Sequence, residues 1–510
     1  MGHNHSHGIA RKREESQPSL VTNSNNGSRK GMSRTTSASD IQERPLNLLP
    51  VEKLAKILST KSQEQEGVHG ITLKVFTQYL FPRYQLFGEK LFTYFLVLAK
   101  SKNAYISTSN FKQQCEKFLA ILDDDTVRTI LVYMFASDDD NMRREDMRAL
   151  FMCTYHVSMD HYSEGPQMCL AINKTLTAVI DSCFHKKDSL SCQYVAHWIE
   201  ANCPRLLLTL HRYAIHSLAT SYRTLETNEP DLAAGCSVSL LIFPITSTLL
   251  GLELATPVLE QPPPFSPGKY HPHLLQMSMS WLLAGALPPL YSRPQRAHSP
   301  NNSGVGLSSQ AFLMKLLCAV PSHWICLYDT EEMGIGANRF MHHVLAYKGA
   351  TLCLLKVDGG IIFCIGCPNE WKESHLYWGG EDAIVFQLFP KFLMLERGPK
   401  MLYLNTSIRG YPQGLRVGKD PRSPIISISA GFDKLEYRKI PYSLECIEVW
   451  GCGDQASREA QLDVKKWEVK EAERQRCVKL SATDWLDHPD RYLLELAGRP
   501  QYNNQNPQLN

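Results

Sequence analysis

Cys364 and Cys367 stand in a C-x-x-C, a spacing that supports dithiol redox chemistry where the pair opens a helix and its thiolate is stabilised. Here the pair closes an apolar run, I-I-F-C-I-G-C, and Pro368 follows it. Two core cysteines at a strand end are therefore expected. No second C-x-x-C lies near enough to complete a zinc site. Glu381 and Asp382 are adjacent, and neighbours on a strand point to opposite faces, so they do not converge as an acid–base pair. His3, His5 and His7 alternate in a polar tail that gives a metal ion no rigid frame. No G-x-S-x-G, P-loop or H-E-x-x-H occurs. These residue types in these patterns point away from catalysis.

The N-terminus carries a different chemistry. M-G-H-N-H-S fits the pattern for myristoylation of Gly2 once Met1 is removed. One myristoyl chain binds membranes only marginally, and Arg11, Lys12 and Arg13 supply the electrostatic second signal that stable anchoring needs. The polar N-terminus lacks the apolar core of a secretory signal, so the fifteen cysteines are expected to be free thiols in a reducing compartment. The most apolar stretch, Val238 to Val258, is interrupted by Pro244, Gly251 and Glu253, and no membrane span is expected. A net charge of +3 from 54 basic and 51 acidic residues gives no electrostatic case for nucleic acid.

The elements around these residues predict an α+β chain. Residues 1–45, rich in Ser, Asn, Gly and basic residues, read as a disordered, lipid-anchored tail. Residues 46–225 carry i, i+3, i+4 apolar spacing (Leu54, Ile57, Leu58; Phe118, Leu119, Leu122) and read as helical. Within them, stretches centred on Ile71, Ile106 and Met142 each place one apolar residue between a polar loop and an amphipathic helix, which looks like a series of EF-hand units. A working calcium loop needs carboxylates at positions 1, 3 and 5 and a Glu at 12. The Ile106 loop offers Ser101, Asn103 and Asn110. Aligning Met142 as the eighth residue puts Phe135 first and Asp140 where Gly belongs. A scaffold without calcium is expected.

Residues 226–289 read as a Pro-rich irregular connector followed by a short apolar helix, Ser278 to Leu287. Short β-rich runs fill residues 290–453, two of them flanking Asp358-Gly359-Gly360, a hairpin turn. A two-sheet β-sandwich with flanking helices is predicted there. Residues 454–510 open with a long charged helix. Leu462, Val464 and Trp467 place apolar surface on it, and a solvated spacer has no use for a large indole, so it reads as a partner-binding helix.

The segment 290–453 resembles a TLDc domain. L-Y-S at 290–292 with L-S-S-Q-A-F-L-M-K-L-L, V-D-G-G-I-I-F-C-I-G, Y-W-G-G-E-D-A-I-V-F-Q-L and the closing C-I-E-V-W-G-C-G follow that family's motifs in order. An insertion at about Pro294 to Gly306 and a sparser glycine cluster, G-Y-P-Q-G-L-R-V-G-K, depart from it. With the M-G-x-x-x-S start, the EF-hand-like region and the C-terminal helix, the arrangement is similar to the mTOR-associated, EAK-type TLDc proteins. The resemblance implies a non-catalytic regulator on the cytoplasmic face of lysosomal or plasma membranes, with a cytosolic pool. It implies action in nutrient, TOR or insulin-like signalling, with the vacuolar proton-pumping ATPase or TOR-pathway proteins as partners, and no cofactor or small-molecule substrate. It also brings an alternative, oxidative-stress resistance through redox chemistry at Cys364 and Cys367.

Overall fold

The computed structural model describes residues 49–101, 103–121, 123–137, 140–160, 171–226, 256–260, 273–292, 322–476, 493 and 496–497. Its first half is built from a repeated local device. An apolar residue followed by Ser or Thr recurs where a loop turns into a helix: Ile71-Thr72, Ile106-Ser107 and Leu190-Ser191. Each hydroxyl accepts the N–H of the residue three further on, Val75, Asn110 and Tyr194, at 3.4, 3.3 and 3.3 Å, satisfying a donor that the first helical turn leaves free. At Met142-Arg143 the same job falls to Asp146, whose carboxylate accepts the Arg143 N–H at 3.1 Å.

Four helix–loop–helix units result: α1 (Leu49–Glu66) with α2 (Leu73–Leu80), α3 (Gln85–Leu98) with α4 (Thr108–Leu119), α5 (Asp124–Phe135) with α6 (Arg144–Ser158), and α7 (Ile172–Phe184) with α8 (Cys192–Asn202). Their loops pair as two-stranded ribbons. β1 (Ile71–Thr72) sets Ile71 opposite Ile106 of β2 (Tyr105–Ile106), and β3 (Asn141–Arg143) sets Met142 opposite Leu190 of β4 (Ser189–Ser191). The fourth unit, centred on Leu190, goes beyond the three that the sequence pattern suggests. A ninth helix, α9 (Leu208–Glu226), packs against α1 and α6. Phe76 sits at the centre of the first pair, its ring 5.4 to 6.4 Å from those of Phe81, Phe92, Phe95 and Phe111.

Within the stretch read as irregular, Val258–Glu260 forms β5, which adds in parallel to the edge of β6 (His323–Asp329). The helix Met277–Ala286 is apolar all round and buried from Ser278 onward, as such a helix must be, and Pro288 follows its end. The remaining strands are β7 (Thr351–Val357), β8 (Ile361–Cys367), β9 (Ile384–Phe389), β10 (Leu393–Arg397), β11 (Leu402–Asn405), β12 (Gly414–Val417), β13 (Ile426–Ile428), β14 (Lys434–Tyr437) and β15 (Ile440–Gly451). Gly359 and Gly360 take φ of +75° and +72° in the turn between β7 and β8, the conformation that glycine adopts without a steric cost.

The two layers of the sandwich are joined through one strand. The first residues of β15 pair with β14, which leads through β13 and β12 to β11; its last eight pair with β7, which leads through β8 and β9 to β10. The face of β7–β9 turned to the other layer carries Cys353, Leu355, Phe363, Ile365 and Val385. The opposite face, with Leu352, Leu354, Ile362, Ile384 and Phe386, belongs to the same core as the helical half and the helix Met277–Ala286. Both faces are thus buried, which is why these strands read as unbroken apolar runs. The halves also meet through backbone: Phe392 N–H donates to Ala178 C=O at 3.2 Å, and Met394 N–H to Asn202 Oδ1 at 3.2 Å.

Candidate functional site

Gly2, Arg11, Lys12 and Arg13 lie outside the described residues. Among the described residues no helix is long and apolar enough to cross a membrane.

The C-terminal helix, Gln455–Arg476, begins where β15 ends. Gly453 N–H donates to Tyr347 Oη at 2.8 Å, and Asp454 Oδ1 accepts the Ser457 N–H at 3.0 Å, closing the first turn. Arg458, Gln461 and Lys465 follow at spacings of three and four and share one face. Gln461 is fully buried, and its Nε2 donates to the carbonyls of His343 (2.9 Å) and Leu345 (3.2 Å) at the end of the helix Ala337–Val344. Arg458 Nη1 donates to Gln461 Oε1 at 2.5 Å. Burial, with Arg458 beside it, lowers the Lys465 pKa to about 8; burial, with Lys465, His342 and Arg458 nearby, lowers that of His343 to about 4.

The helix is therefore seated by a polar, cationic face and presents its apolar residues elsewhere. Trp467 is 64% exposed, Leu462 39% and Val464 38%. Nine residues separate Arg458 from Trp467, about 180° around a helix. The exposed pair Asp463–Lys466 and the pair of half-buried Glu471 with exposed Arg474 lie within the helix and support it modestly.

Cys364 and Cys367 both lie on β8, three residues apart and hence on opposite faces, Cys364 toward the helical half and Cys367 between the layers. Both are fully buried. Burial raises both thiols, Cys367 to about 12, and Cys367 Sγ donates to Asn369 C=O at 2.9 Å. Such thiols hold their protons at neutral pH.

The EF-hand-like loop before Ile106 is closed by its own polar groups. Ser101 Oγ accepts the Asn103 N–H at 3.3 Å and donates to Tyr105 C=O at 3.1 Å. Lys186 and Lys187 occupy the fourth loop, where a calcium site would need carboxylates.

One constellation was invisible to sequence reasoning. His273, Asp329 and Glu448 come from the segment before the helix Met277–Ala286, from the end of β6 and from β15, and their ligand atoms lie within 4.8 Å of one another. His273 Nδ1 is 3.1 Å from Asp329 Oδ2 and 3.5 Å from Glu448 Oε1. Glu448 accepts the backbone N–H of Leu274, that of Leu275 at 2.9 Å and the Trp450 Nε1–H at 3.0 Å; Asp329 Oδ1 accepts the Glu331 N–H at 2.9 Å. Asp329, then Glu448, pulls the His273 pKa up to about 9 against the burial that lowers it. Glu448 stands inside E-V-W-G, a motif quoted for its resemblance, but nothing in the sequence brings His273 or Asp329 to it.

Residues 306–453 match the family model of the TLDc domain. The relatives found are called restriction of telomere capping protein 5. That of Neurospora crassa is 26% identical over 178 residues, 27% of this chain and 29% of its own length. That of Zygosaccharomyces rouxii is 25% identical over 215 residues, 34% of this chain and 37% of the relative. That of Colletotrichum graminicola is 44% identical over 57 residues, 11% of this chain and 9% of the relative. The chain thus spans well under half the length of these relatives. Antiparallel layers joined through β15, E-V-W-G at the end of that strand and the family match agree: this chain carries a TLDc domain at residues 306–453.

Proposed function

We propose that this protein is a non-catalytic, membrane-anchored adaptor whose TLDc domain and C-terminal helix dock on a large protein assembly. One observation carries the reading: the helix Gln455–Arg476 is seated by Arg458, Gln461 and Lys465 while Trp467 faces solvent. Exposed Trp is costly in water and is the residue type most enriched among interface anchors. The family resemblance supplies the candidate partners, the vacuolar proton-pumping ATPase and TOR-pathway proteins. A myristoylated Gly2 beside Arg11, Lys12 and Arg13 would hold the adaptor on a lysosomal or plasma membrane. The redox alternative draws no support from two buried thiols that face opposite ways.

The test is affinity capture of the proton-pumping ATPase by the full chain and by a chain ending at residue 454. Loss of the assembly with the helix is expected; undiminished capture overturns the reading. Fractionation of Gly2→Ala tests the anchor, with a move from membranes to cytosol expected.

A further inference from the structure

We propose that His273 Nδ1, Asp329 Oδ2 and Glu448 Oε1 form a binding site for a divalent transition-metal ion, with zinc as the best fit.

Most lone pairs of the two carboxylates are already in use. Glu448 spends its other capacity on the N–H groups of Leu274, Leu275 and Trp450, and Asp329 Oδ1 on that of Glu331. Those bonds fix both carboxylates as the outer shell of a metal site does; Asp329 Oδ2 faces the imidazole, and Glu448 Oε1, which also accepts the Leu274 N–H, faces it with its second lone pair. His273 Nδ1 is itself fully buried, and neither nearby oxygen lies where a properly directed hydrogen bond would put it. The three ligand atoms thus converge as a close ion-paired group in which no properly directed hydrogen bond reaches Nδ1.

The spacing suits an ion. Zinc–nitrogen and zinc–oxygen bonds of about 2.0–2.2 Å make the edge of a tetrahedron roughly 3.3–3.5 Å. Nδ1 stands 3.1 and 3.5 Å from the two oxygens. Imidazole nitrogen and carboxylate oxygen are both ligand types that zinc takes, and water would complete the fourth position.

Charge points the same way. The Asp329 and Glu448 side chains are 3% and 1% exposed. Two buried carboxylates carry two negative charges, which a divalent ion on a neutral imidazole would balance. Such an ion would tie the residue leading into the buried helix Met277–Ala286 to β6 and β15, and so clamp the joint between the two halves.

The experiment titrates the metal-stripped full chain with zinc alone, reading bound stoichiometry and melting temperature, and repeats it with cobalt(II) for the visible absorption of a four-coordinate ion. Because His3, His5 and His7 also offer imidazoles, it is run in parallel with those three replaced by alanine. One equivalent of zinc retained in the tail variant, with a raised melting temperature, is expected. Asp329→Asn keeps an acceptor for the Glu331 N–H but weakens the metal ligand, and should reduce affinity by more than the roughly 10–100-fold that loss of an outer-shell partner costs. Should Asp329→Asn not fold, His273→Gln, at the most exposed of the three positions, gives the same reading. Zinc that disappears with the tail histidines, or that survives both site substitutions, overturns the proposal.

Discussion

Arg458 and Trp467 lie on opposite sides of one helix, the guanidinium turned to its own domain and the indole to solvent. The two faces can therefore be tested apart. Trp467→Ala should weaken capture of the partner assembly by the equivalent of more than about 2 kcal/mol, the usual cost of losing an anchor, while leaving the melting temperature unchanged. Gln461→Ala should do the reverse, costing about 1–3 kcal/mol of stability because two carbonyls lose a buried donor. Paired pull-down and urea-melt measurements check both.

Cys364 and Cys367 should resist oxidation to a disulfide with each other, because their side chains sit on opposite faces of β8. Mass spectrometry of the peroxide-treated native protein is expected to show no intramolecular bridge between them. Ser substitutions at both should leave any protective effect in cells intact; a bridge formed under native conditions would sink this reading.

Calcium should leave the helical half unchanged. The loop before Ile106 is closed by the Ser101 hydroxyl and backbone groups, and the fourth carries Lys186 and Lys187. Melting curves with added calcium and with a chelator are expected to superimpose, since a ligand bound by the native state alone would raise the midpoint.

His211 gives the fold an acid limit. It is buried beside Phe118, whose carbonyl lies 3.4 Å from Nε2, and burial lowers its pKa to about 4. The unfolded chain, with a histidine pKa of about 6.5, takes up the proton first. The stability of the neutral buried form is thus whole above about pH 6.5, falls as the pH drops, and is reduced by about 3 kcal/mol near pH 4. Denaturant melts from pH 7 to 4 should show that slope, and His211→Phe should reduce it, leaving the part that His343 contributes.

Gly285 is where the buried helix touches Leu206. A Cβ there would stand 2.5 Å from Leu206 Cδ1 and 2.8 Å from its Cα, and that backbone has no room to give. Gly285→Ala should cost about 1–3 kcal/mol. Calorimetry should show both halves melting together at a lower temperature.

What could be read from the sequence was local. The Ile71 and Ile106 units stood out because an apolar residue and a hydroxyl cap sit side by side, and β7, β8 and β9 because burial on both faces leaves them no polar alternation. Leu190-Ser191 carried the same cap signal, hidden behind a cationic H-K-K-D loop unlike an EF-hand. Contacts set by the third dimension stayed out of reach. Periodicity shows that a strand has two apolar faces without saying what covers each, and it says nothing of a trio drawn from His273, Asp329 and Glu448. The Trp467 exposure was foreshadowed by the charge run around it, but the inward turn of Arg458 and Lys465 was not.

The shared core bears on how such a chain can be cut or recombined. A breakpoint placed just before the family's domain would strip Leu354, Phe386 and Trp450 of their cover and present water with a greasy sheet face. Gene fragments that end there should yield insoluble protein, and lineages that shuffle this module onto new neighbours must supply a replacement lid. Here the lid is the helical half, so the EF-hand-like units serve the fold as a cover.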